Sequence, residues 1–92
     1  MDLSMARVEI YSTMFCGYCA RVKGLLDRKG VAYENIDVIE DPGKREEMLA
    51  RSGGRQSVPQ IFINDEHIGG SDELLALERA GKLDAKLGVG KP

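Results

Sequence analysis

The hydrophobic period of the chain changes twice within residues 7–38, and this restricts the architecture more than any other feature. From Arg7, the run Val8-Glu9-Ile10-Tyr11 alternates apolar with polar, is rich in strand formers and breaks at Ser12-Thr13. After Cys16, residues Cys19, Val22, Leu25, Leu26 and Lys29 fall at helical spacing and Gly30 supplies a stop, which predicts a helix of about three turns. A second strand is expected from Ala32 to Val38. Strand, helix and strand in this order imply a right-handed crossover and a parallel pair.

The rest of the chain is punctuated in the same way. Glu40-Asp41-Pro42-Gly43 turns the chain, with Asp41 placed as an N-cap and Pro42 in the first helical position. That helix should run to about Ser52 and stop at Gly53-Gly54. Val58-Pro59-Gln60-Ile61-Phe62-Ile63 reads as a buried strand that turns at Asn64-Asp65 into Glu66-His67-Ile68, and Gly69-Gly70 closes the hairpin. Ser71 is placed as the cap of a last helix carrying Leu74, Leu75 and Leu77, with Asp72 and Glu73 suited to its dipole and Gly81 as its terminator. The expectation is an α/β fold, a four-stranded mixed sheet with helices on both faces, forming one domain over residues 1–92. About 6–87 should be structured, with both termini frayed, including 88–92.

Composition excludes several classes of function. Thirteen Lys and Arg are scattered among 15 Asp and Glu, so no basic stripe exists to follow a phosphate backbone. Residues 1–7 hold no basic stretch leading into an apolar one, and no apolar run is long enough to span a bilayer. A soluble, cytoplasmic chain with neither nucleic acid nor membrane as partner is expected. Short connections leave little space for an inserted lid, so any site must be shallow.

The two cysteines lie three positions apart, and a bridge closing so short a loop constrains the unfolded chain little. Their placement points to chemistry. Cys16 sits at a helix N-terminus, where unpaired N–H groups and the positive end of the dipole favour thiolate, the reactive form. Cys19, one turn on, shares that face but lies deeper, where a charge is less well solvated. Cys16 is therefore read as nucleophile and Cys19 as resolving thiol: attack on a disulfide leaves a mixed disulfide that Cys19 or an external thiol displaces. The same spacing supplies half of many zinc sites, but two cysteines and one histidine fall short of about four ligands, and no metal site is assigned. Ala20 stands where haem attachment requires histidine. Two inert buried cysteines are the alternative, which the strand-to-helix setting disfavours.

Cys16-Gly17-Tyr18-Cys19, then Ser57-Val58-Pro59, then Gly69-Gly70-Ser71-Asp72, in this order over nearly the whole chain, resemble the motifs of glutaredoxins. The resemblance implies a thioredoxin-like fold and a glutathione-dependent thiol-disulfide oxidoreductase. Its co-substrate would be glutathione, its partners glutathionylated or disulfide-containing proteins, and its working form a monomer. It also implies a cis bond between Val58 and Pro59 beside the nucleophile, with the Val58 backbone placed to pair, strand-like, with an extended peptide such as glutathione. Gly70, Ser71 and Asp72 would receive the γ-glutamyl end, the Ser71 N–H holding its α-carboxylate and the Asp72 side chain its ammonium. Taken alone, Ser71-Asp72-Glu73 is also an ordinary helix cap. Tyr18 would pack against the ligand, and Arg55 or Gln56 would meet the glycine carboxylate, although either could equally be solvated surface.

Two residues depart from the commonest family pattern. Thr13 stands where many members carry a lysine that binds glutathione, leaving Arg55 as the candidate substitute, with Arg21 and Lys23 as other sources of positive field. Gly17 replaces the proline of common dithiol members and loosens the turn. Members without that proline bind a bridging [2Fe–2S] cluster, so a Cys16-bridged dimer completed by two glutathione thiolates is the second functional reading. His67, the only histidine, is read as ordinary surface, and Lys44-Arg45-Glu46-Glu47 as a solvated face with an i,i+3 pair. Met14 and Phe15 either form an apolar rim for substrate polypeptide or simply cover the strand end. Leu25, Leu26, Ile61 and Ile63 are core by pattern.

Overall fold

The computed structural model describes residues 6–88. Along the chain come β1 (Val8–Ser12), α1 (Gly17–Arg28), β2 (Glu34–Asp37), α2 (Pro42–Arg51), β3 (Gln60–Ile63), β4 (Glu66–Gly69), α3 (Ser71–Arg79) and α4 (Leu83–Leu87). The strands form one sheet in the order β2-β1-β3-β4, with β1 parallel to β2 and antiparallel to β3, and β3 antiparallel to β4. The mixed four-stranded sheet is thus as expected. Because side chains alternate across a strand, each face builds its own core. On one face Val8, Ile10, Ile61 and Ile63 meet Val22, Leu25 and Leu26 of α1, Leu74 of α3 and Leu83 and Leu87 of α4. On the other, Tyr11, Ile36, Val38 and Phe62 meet Met48 of α2. No helix among the described residues is long and apolar enough to cross a membrane.

Several elements differ from the sequence expectation for identifiable reasons. β1 alternates apolar with polar, yet all five of its residues are buried, Glu9 included, because a central strand is covered on both faces. The Glu9 carboxylate accepts from Arg51 Nη2 at 3.0 Å and pairs with Arg7 Nη2 at 3.3 Å. Arg51 Nη1 also donates to Tyr11 Oη at 2.7 Å, its guanidinium lies 4.0 Å from the Phe62 ring centroid, and the Tyr11 hydroxyl donates to Glu47. Burial is the chief reason that Tyr11 is pushed up to about 12. The Lys44–Glu47 pair forms at 3.4 Å, as the i,i+3 spacing suggested.

β2 starts at Glu34 rather than Ala32, and β3 starts at Gln60 rather than Val58, since Pro59 has no N–H to give the ladder. Gly70, not Ser71, is the N-cap of α3: it is the extended residue, and its N–H donates to Glu73 Oε1 at 2.6 Å. Beyond the Gly81 stop lies α4, which the sequence reading did not include; it is anchored by Leu83 and Leu87 and by Lys29 Nζ, 2.6 Å from Asp84 Oδ1 and 2.8 Å from Glu78 Oε1. Gly88, expected to fray, closes α4 in the left-handed conformation at φ 73°. The remaining fraying expectation falls on 1–5 and 89–92, outside the described residues.

Candidate active site

Cys16 follows β1 across the Thr13-Met14-Phe15 turn, is extended in conformation and is the N-cap of α1. Its Sγ accepts from the Cys19 backbone N–H at 3.2 Å and lies 3.9 Å from the Val58 carbonyl oxygen, to which its S–H can donate. Both cysteines are free thiols, Cys16 half-buried and Cys19 only 1% exposed. Negative charge on the Cys16 sulfur would retain the Cys19 N–H bond and face the positive end of α1. Burial, followed by the contact with Cys16, pushes the Cys19 thiol up to about 11, against a weaker opposing effect of a Thr13 backbone hydrogen bond. A raised thiol pKa means that Cys19 stays protonated at neutral pH and gains thiolate about tenfold per pH unit up to about 11. Iodoacetamide at pH 7.5 should therefore modify Cys16 first, and a Cys16→Ser protein should resist labelling until denaturant exposes Cys19. Peptide mass mapping checks this; rapid native labelling at Cys19 would contradict it.

Beside Val58 opens a cavity of about 340 Å³, walled by Tyr18, by Arg55, Ser57, Val58 and Pro59 ahead of β3, and by Gly70, Ser71, Asp72 and Glu73 at the start of α3. The sheet order assembles it. β3 lies next to β1, which carries Val58 to Cys16, and the β3–β4 hairpin returns the chain to Gly70 beside Pro59. The Val58–Pro59 bond is cis, as the resemblance implied. A Cβ at Gly69, where φ is +120°, would strike the Glu73 side chain at 2.8 Å, so that position needs glycine, and one at Gly70 would stand 3.3 Å from the Pro59 carbonyl, a tight fit.

Tyr18 and Arg55 are exposed on this wall; Gln56, equally exposed, is not part of it. Arg55 Nη2 lies 3.7 Å from Glu73 Oε1 and is the cation on the wall. Arg21 instead sits 5.8 Å from the Tyr18 ring centroid, and Lys23 contributes a small stabilising charge near Cys19. Glu73 was read only as a dipole partner, whereas its reach back to Gly70 makes it part of the wall. The Gly70-x-x-Glu73 spacing, that of a capping box, was the available signal.

His67 is not ordinary surface. Its Nε2 lies 2.7 Å from Gln60 Oε1, and Gln60 Nε2 donates to the Ser57 carbonyl at 2.9 Å. Its ring tilts against Phe62 at 4.9 Å, and burial, then the nearby Arg55 charge, holds it below the usual imidazole range. Gln60 is fully buried, and a buried carboxamide requires such partners. His67 and Gln60 thus brace the Ser57 end of the cavity from behind. Among the described residues no three His, Cys, Asp or Glu side chains are grouped to hold a metal ion.

A thiol at a strand-to-helix junction beside a cis-proline cavity has close counterparts among known proteins. The glutaredoxin family model matches residues 8–68. A glutaredoxin of Pseudomonas aeruginosa is 54% identical over 83 residues, covering 90% of this chain and 98% of its own. The crystal structure of the buckwheat glutaredoxin-glutathione complex matches with a TM-score of 0.82 at 30% identity, over 97% of this chain and 86% of that one. A protein solved in work on metal binding of glutaredoxins is 52% identical, with a TM-score of 0.70 over 96% of this chain and 95% of its own. Sequence and architecture agree along most of the chain, and it belongs to the glutaredoxin family of glutathione-dependent thiol oxidoreductases.

Proposed function

We propose that this chain reduces protein–glutathione mixed disulfides and protein disulfides, with Cys16 as nucleophile, Cys19 as resolving thiol and glutathione as reductant. The observation that supports this is the half-buried Cys16 Sγ, 3.9 Å from the carbonyl oxygen of Val58, itself a residue of the cavity wall. The Cys16 thiolate attacks the glutathionyl sulfur, the old S–S bond breaks, and the protein leaves as a thiolate that takes a proton from solvent. A second glutathione thiolate then attacks the glutathionyl sulfur held on Cys16, releasing glutathione disulfide and the Cys16 thiolate. With a protein disulfide, Cys16 attacks one substrate sulfur, the substrate S–S bond breaks and the other sulfur leaves as a thiolate that takes a proton; Cys19 then gives up its proton, attacks the Cys16 sulfur and displaces the remaining substrate thiolate, leaving a Cys16–Cys19 disulfide. Two glutathiones return the pair to thiols and leave as glutathione disulfide.

In this reading the Val58 backbone pairs with the glutathione backbone, the Ser71 N–H and Asp72 side chain hold the γ-glutamyl α-carboxylate and ammonium, and Tyr18 covers the ligand. Arg55 exchanges its exposed Glu73 partner for the glycine carboxylate, a role that leaves Gln56 out. The test is glutathione-dependent reduction of a glutathionylated peptide by the reduced protein. Turnover saturating in peptide supports the proposal, and a folded, reduced protein without turnover removes it.

Gly17 favours a second reading, a [2Fe–2S] cluster held between two protomers. A Cβ at Gly17 would meet nothing within 4 Å, so the helix start next to Cys16 is uncrowded at that position. Each chain would offer its Cys16 thiolate, and two glutathione thiolates would complete the four ligands. Anaerobic reconstitution with glutathione should then give a visible-absorbing dimer that disappears in Cys16→Ser; a colourless monomer would rule the reading out.

A further inference from the structure

The sheet order places β2 and β3 on opposite sides of β1, so Cys16, beyond the turn that follows β1, has two flanks. The glutathione cavity occupies the β3 flank. On the β2 flank, Thr13, Met14 and Phe15 of the β1–α1 turn face Asp37, Ile39 and Glu40 across a groove of about 380 Å³. Met14, Phe15 and Ile39 are 72%, 94% and 68% exposed, and Phe15 directly precedes the reactive cysteine. Three large apolar side chains grouped in solvent mark a contact surface rather than the cover of a strand end. The far wall of the groove is held in shape: Asp37 Oδ1 accepts from the backbone N–H groups of Ile39 at 2.8 Å and Glu40 at 2.9 Å, which keeps Ile39 turned outward.

Charge decides what this groove can receive. Its charged residues, Asp37 and Glu40, are both acidic, and the same edge continues through Glu34 and Asp41. Lys44, on that edge, is already paired with Glu47. Glutathione, with two carboxylates and one ammonium, is a net anion and would be repelled here, whereas Arg55 attends it on the other flank. A mixed disulfide has a second half, the polypeptide. Building on the oxidoreductase reading, we propose that the β2-side groove docks the polypeptide segment around the target cysteine, choosing segments that pair a bulky apolar side chain with Lys or Arg. The apolar side chain would lie among Met14, Phe15 and Ile39, and the cation beside Asp37 and Glu40.

The experiment compares kcat/KM for two glutathionylated peptides that differ only in having Leu and Lys, or Ser and Glu, flanking the cysteine. The mixed disulfide of glutathione with 2-mercaptoethanol, too small to reach the groove, is the control. The wild-type protein should prefer the Leu/Lys peptide by about tenfold at low salt. Ile39→Ser and Glu40→Lys alter exposed side chains outside the catalytic and glutathione-binding groups. Each should cut that preference severalfold and leave the control unchanged. Equal kcat/KM for the two peptides in the wild type, or a preference that survives the double variant, overturns the docking proposal alone. Failure of the wild type on the small control would sink the oxidoreductase reading and this proposal with it.

Discussion

Replacement of Cys16 by serine is expected to lower glutathione-dependent reduction of a glutathionylated peptide by on the order of a thousandfold or more. The hydroxyl that replaces the thiol supplies no comparable anion near neutral pH. Cys19 is no substitute, because it is 1% exposed and its thiol is pushed up to about 11. Cys19→Ser should separate the two reactions. It keeps turnover of the glutathionylated peptide within a few-fold, since an external thiol completes that cycle, and it loses most reduction of a protein disulfide, which needs an internal resolver. Steady-state rates on both substrates, with circular dichroism to verify folding, check the pair of variants. Substantial peptide turnover by folded Cys16→Ser would sink the nucleophile assignment.

Arg51→Ala should destabilise the fold by about 3 kcal/mol, lowering Tm by about 15 °C for a domain of this size. Arg51 reaches from the end of α2 across β1 to Glu9, whose side chain is only 5% exposed, while also donating to Tyr11 and covering the Phe62 ring. Truncation leaves the Glu9 carboxylate buried with Arg7 alone, and Arg7 is 66% exposed and poorly able to replace a shielded partner. That remaining pair is why the value sits at the lower end of the range for a broken buried ion pair. Arg7→Ala, by comparison, should cost under about 1 kcal/mol. Urea unfolding of both variants measures the difference. Equal small losses would show that water reaches Glu9 easily and that the pair behaves as a surface contact.

Much of the architecture is readable from short windows of sequence. Cys16 to Gly30 announces α1, Asp41-Pro42 opens α2, and Asn64-Asp65, both at positive φ, makes the hairpin turn that its residue types favour. Residues near in sequence that share one period or one turn need only their own backbone geometry. Ser57 and Asp72, which line the cavity, were also within reach, because the motifs that contain them occur in order. Gln56 and Arg55 could not be told apart, since adjacent loop side chains diverge according to the path of the backbone. His67 was misread because its partner, Gln60, stands seven positions away on the neighbouring strand and looks like one polar interruption in an apolar run.

The sequence alone determined the order of elements as far as α3 and the position of Cys16 at a helix start, because each rests on local periodicity, capping or adjacency, and its three motifs carried the family resemblance that implies the ligand. Only the tertiary structure decided which residues share a wall or a charge. Glu9 and Arg51 are 42 positions apart, the cavity joins α1 to the loop before β3 and the start of α3, and the acidic groove joins the β1 and β2 ends. Such contacts depend on which strands pair and in what register, and that choice is made by burying two apolar faces at once, a property of the whole sheet that no short stretch of residues carries.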